Sequence, residues 1–156
     1  MSSESIAGSG AALNTAASVI SYVSRIEQES SAFYEKWAAE SEGFREAFLS
    51  FAGENKKHEK NIKRAYYSVV SDALETNFCF GGLRADVMLP AAPQDASSAE
   101  VLKASLDLEK SVQAFYLEAA ESSRALLADV SRAMGRVAKM RKARVEKLQT
   151  LLDAKS

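Results

Sequence analysis

Ile26-Glu27-Gln28-Glu29-Ser30-Ser31-Ala32-Phe33-Tyr34 and Leu108-Glu109-Lys110-Ser111-Val112-Gln113-Ala114-Phe115-Tyr116 are two copies of one pattern. Glutamate, alanine, phenylalanine and tyrosine recur in register, 82 residues apart (109 minus 27). Downstream of each copy a fainter echo follows, in which Phe51-Ala52 through Ile62 lies along Val137-Ala138 through Leu148. Repetition of a two-part unit predicts a duplicated helical hairpin, and hence a bundle with a pseudo-two-fold axis through its middle.

Outward from these copies, apolar periodicity marks four helices. The first runs from about Leu13 to Ser41. Gly43 marks a corner, and the second continues to about Leu74. The third begins near Ser98, where Ser97 or Ser98 can cap it and Glu100 favours the first turn, and ends near Ser122. The fourth runs from about Arg124 to Leu152. Both prolines, Pro90 and Pro93, fall between the second and third helices, so nothing else forces a break. The joints within each pair are short, which predicts two antiparallel hairpins. The stretch of about 75–97 is long for a connection and reads as a crossover running along the bundle. Its cluster Phe78-Cys79-Phe80-Gly81-Gly82-Leu83 either caps the core or meets a second subunit. A chain of 156 residues is one domain. Residues 1–12, rich in Ser, Gly and Ala, read as a flexible tail ahead of a domain at 13–156. The fold class expected is all-α, a four-helix bundle of two hairpins joined by a long crossover.

Composition narrows the function classes. The net charge is -1. The basic bias of the last helix, with Arg124, Arg132, Arg136, Lys139, Arg141, Lys142, Arg144 and Lys147 against Asp129 and Glu146, reads as pairing with acidic helices of the same bundle. A nucleic-acid face would come with a basic whole domain. No apolar run reaches the ~20 residues of a membrane span, and the first residues lack the basic start of a signal peptide. Cys79 is the single cysteine, so no intrachain disulfide and no Cys-x-x-Cys metal knuckle can form. These features suit a cytoplasmic protein. Cys79 itself reads as a small buried filler.

Each helix can be laid out as a seam of core positions at alternating spacings of three and four. All four seams are interrupted near their middles: by Glu27, by Asn55 with His58, by Glu109, and by Arg141 with Arg144. Isolated charges at such depth would cost several kcal/mol each, so four interruptions at matching height predict one polar layer. The arrangement leaves other placements open. The glutamates could sit at the seam edge and reach water, and the arginines could snorkel outward.

The pattern resembles the rubrerythrin family of ferritin-like di-iron carboxylate bundles. Ile26-Glu27-Gln28-Glu29 with Phe33-Tyr34 looks like that family's first helix, Phe51-Ala52-Gly53-Glu54-Asn55-Lys56-Lys57-His58-Glu59 like its second, and Leu108-Glu109 through Phe115-Tyr116 like its third. The resemblance implies a ferritin-like fold. It also implies two irons held by a glutamate from each of two helices and Glu-x-x-His from the other two. By that pattern Glu27, His58 and Glu109 would be ligands. Asn55 stands where a glutamate belongs, and the adjacent Glu54 points about 100° away around the helix. Arg141 and Arg144 replace the second Glu-x-x-His, and a guanidinium has no lone pair to offer a metal. Two carboxylates facing two guanidiniums would be neutral with no metal at all.

Three function classes follow. The first is a non-catalytic member of that family that carries no cofactor and acts by interaction, as a homodimer or with another protein. The second is an iron-dependent peroxidase or ferroxidase with a reduced metal set of Glu27, His58, Glu109 and Glu54. The third is an anion site formed by Arg141, Arg144 and His58.

Overall fold

Thr15 and Ser18 stop the first helix from starting where the apolar pattern alone would put it. The Ser18 amide donates to Thr15 Oγ1 at 3.0 Å, and the Thr15 amide donates back to Ser18 Oγ at 3.3 Å, a reciprocal cap. Helix α1 therefore spans Ala16–Glu40, and the residues before it form strand β1, Ala11–Thr15. This corrects the expectation of a tail to residue 12 and a helix from Leu13. The structure, a computed structural model, describes residues 11–70, 79–87, 94–124 and 128–155. The rest of the expected tail, Phe78 and both prolines lie outside them, as do the side chains of Cys79 and Phe80.

Helix α2 spans Arg45–Val70, strand β2 Cys79–Ala85, helix α3 Ser98–Ser123 and helix α4 Ala128–Asp153. The connection read as a crossover over about 75–97 thus contains a strand, which was not expected there from the sequence. β2 pairs antiparallel with β1, Ala11 opposite Ala85 and Leu13 opposite Leu83, with a register shift between Leu13 and Thr15. Leu83, Ala85 and Val87 are buried while Arg84 and Asp86 are exposed. That two-residue alternation is the mark of a half-buried strand. The Val87 amide donates to the Tyr22 hydroxyl at 2.8 Å, which fixes the segment against α1. The third helix begins as expected, with Ser97 and Glu100 capping each other.

Helix directions can be read from side-chain contacts. Arg45 reaches the Ala38 carbonyl while Gln28 reaches Glu59, so α1 and α2 are antiparallel. Ser131 donates to the Ala120 carbonyl while Arg141 meets Glu109, so α3 and α4 are antiparallel. Tyr22 packs edge-to-face on Phe115 while Tyr34 meets Glu109, so α1 and α3 are antiparallel too. It follows that α2 and α3 point the same way. The core between them is built from the expected seams: Ile20, Val23, Phe48, Ile62, Leu102, Val112, Met134 and Leu148 are all buried. No helix among the described residues is long and apolar enough to cross a membrane.

Candidate functional site

At mid-height the apolar seams give way to charge. Glu27, Asn55, His58, Glu109, Arg141 and Arg144 are all buried, and Arg141 and Glu109 are 0% exposed. The side chains are there because each occupies a seam position whose neighbours a turn away are core residues. Neither the edge placement of the glutamates nor outward snorkelling of the arginines occurs.

Arg141 holds the layer together. Its Nη1 donates to both carboxylate oxygens of Glu109, at 2.9 and 2.8 Å, and its Nη2 donates to Glu27 Oε1 at 2.6 Å. One guanidinium thereby spans the two carboxylates in charge-assisted bonds, the strong class of hydrogen bond. Arg144 adds a second cation. Its Nη1 donates to Glu109 Oε2 at 3.2 Å, and its Nη2 to the Phe51 carbonyl at 3.0 Å and Glu54 Oε1 at 3.2 Å. Its guanidinium also lies 4.7 Å from the centre of the Phe51 ring, in cation–π range.

Two tyrosines complete the carboxylates. The Tyr34 hydroxyl donates to Glu109, and the Tyr116 hydroxyl donates to Glu27, each reaching across to the other hairpin. Both rings are fully buried, and these bonds were not foreseen from the sequence. The missed signal was spacing: each tyrosine lies seven residues after a seam glutamate (34 minus 27, 116 minus 109), on the same face two turns on. Burial, with the carboxylate each one faces, pushes both phenols well above their ordinary value, so both remain donors.

Burial, the largest single effect, pushes the Glu27 carboxyl up, but Arg141, the neighbouring His58 ring and the Tyr116 hydroxyl together outweigh it, and the net direction is down. Arg141, opposed by burial but held by Glu109 and Glu27, is raised and stays charged. A carboxyl held low in the fold stabilises it above the unfolded pKa, and that contribution is lost as pH falls through the folded value. Stability should therefore decline on acidification below about pH 4, the ordinary glutamate range. In Glu27→Gln this part of the pH dependence should disappear, so the two urea-denaturation stability curves converge as pH drops.

The α2 members are less fully engaged. Asn55 Nδ2 donates to Ser30 Oγ at 2.8 Å, while Asn55 Oδ1 has no partner. His58 Nδ1 stands 3.7 Å from Glu27 Oε1, beyond hydrogen-bond reach, and neither ring nitrogen is hydrogen-bonded. Glu54 sits at the rim, 36% exposed, and touches the layer only through Arg144. Among the described residues no three His, Cys, Asp or Glu side chains gather so that they could hold a metal ion. A pair of irons does not fit this donor set. Asn55 offers no carboxylate, and the Arg141 guanidinium fills the space between the two that exist.

The chain finds no match among protein-family models, curated proteins or solved structures.

Proposed function

We propose that this chain is a ferritin-like, rubrerythrin-related bundle in which an arginine–glutamate network replaces the di-iron centre, and that it acts by interaction rather than by iron chemistry. The duplicated Glu…Phe-Tyr pattern supports the relationship. So does the common direction of α2 and α3, because the chain between them must then travel the length of the bundle as a ferritin-like crossover does. The observation that carries the functional part is Arg141 spanning Glu27 and Glu109. Four carboxylates would balance two divalent irons; here two carboxylates are balanced by two guanidiniums. The interaction we favour is pairing with a second copy, since ferritin-like relatives associate through helix faces. Leu49 and Leu117 are apolar side chains about half exposed on such faces.

The test is direct. Purified protein loaded anaerobically with ferrous iron and desalted should retain no stoichiometric iron by elemental analysis and should not consume peroxide. Two tightly held irons per chain would defeat the proposal. Sedimentation at several concentrations should show a dimer; a monomer throughout would remove self-association and leave a different protein as the partner.

A further inference from the structure

Helices α2 and α4 approach each other less closely than the partners within either hairpin. The gap is a groove of about 440 Å³ with Arg144 at its floor and Glu54 and Lys147 among its walls. Arg144 is a buried guanidinium, 3% exposed, and its Nε–H has no hydrogen-bond partner. Glu54 meets it through a single 3.2 Å bond to Nη2. Nε–H and Nη2 form one side of the guanidinium fork, and a carboxylate placed squarely on that side accepts from both. Glu54, tethered to α2, satisfies only one of the two. Its partial exposure means that it can turn into water and remain solvated there.

We infer that the α2–α4 groove binds a small organic carboxylate with an apolar tail, its carboxylate displacing Glu54 and forking onto Nε and Nη2 of Arg144. The exchange swaps one carboxylate for another, so the charge balance of the buried layer is unchanged. It also satisfies the orphaned Nε–H, which otherwise carries the penalty of a buried donor with no partner. Lys147 adds a second positive charge to the site, offset by Glu46 on another wall. Phe51, Ala143 and the exposed Met140 give the tail an apolar lining. Free phosphate could use the same fork but would leave that lining empty. This assignment goes beyond the metal-free reading and stands whether or not the bundle pairs.

The test uses the intact protein, calorimetric titration, and octanoate, acetate and inorganic phosphate as probes. Octanoate should bind saturably at one site, at least about tenfold tighter than acetate or phosphate. Glu54→Ala removes the competing carboxylate and should tighten octanoate about fivefold. Ala143→Trp, at an exposed position, fills the groove and should abolish binding while the protein stays folded. Absence of saturable octanoate binding to both wild type and Glu54→Ala would overturn the assignment, as would binding that survives Ala143→Trp. Phosphate binding as tightly as octanoate would overturn the choice of an apolar-tailed carboxylate. Iron retention in the earlier experiment bears on the layer alone and leaves these outcomes distinguishable.

Discussion

Arg141→Ala should lower the folding stability by about 3–5 kcal/mol, the range for removing one partner of a buried ion pair. Arg141 is the single group that touches both Glu27 and Glu109. Without it the Glu27 carboxylate keeps only the Tyr116 hydroxyl as a hydrogen-bond partner, and two carboxylates face each other out of water. One of them will take up a proton to relieve this. The variant should therefore become more stable as pH falls from 7 to 5, opposite to the wild type at lower pH. Arg141→Met restores most of the lost volume and none of the charge, so it should remain nearly as destabilised. Urea denaturation of the three proteins at two pH values separates these effects. Equal stability of Arg141→Met and wild type at pH 7 would mean that the network contributes shape alone.

The triple variant Asn55→Glu, Arg141→Glu, Arg144→His should acquire two iron sites. It would place Glu-x-x-His at positions 55 and 58 and again at 141 and 144, with Glu27 and Glu109 on the other two helices, which is the complete di-iron donor set. Four buried carboxylates with no cation repel each other, so the metal-free form should be poorly stable. Divalent iron should then restore it, because ligand bound only by the fold stabilises the fold. The expected readings are two irons per chain and a rise of the melting midpoint on adding ferrous iron. A folded variant that binds none would show that these six positions do not converge as ligands must.

Much of this was legible because helical spacing is rigid. The Cβ of a seam residue faces the core whatever the rest of the side chain does, and Glu27, His58, Glu109, Arg141 and Arg144 are all buried. The β1–β2 ribbon was not legible from the helical pattern, because its pairing joins Leu13 to Leu83 across 70 residues (83 minus 13). Its one local trace is the alternation Leu83-Arg84-Ala85-Asp86-Val87, which is short enough to pass for loop. Helical spacing points Glu54 about 100° away from the layer, and its bond to Arg144 was not foreseen. An arginine side chain is long enough to reach past its own seam, and spacing says nothing about where its end lies. The tyrosine hydroxyls escaped for a related reason: a ring on a core face is fully explained by packing until the atom beyond it is located.

Glu27 belongs to the first hairpin, but the groups hydrogen-bonded to its carboxylate, Tyr116 and Arg141, belong to the second. Glu109 in turn accepts from Tyr34 of the first. Each half of the molecule thus completes an acid that the other half supplies. A lone first hairpin would expose a bare carboxylate in the middle of its sticky face, and a state with the halves parted would leave both acids short of partners. Half-assembled forms are penalised electrostatically as well as hydrophobically, so the chain should melt in one all-or-none step despite its two-part sequence pattern.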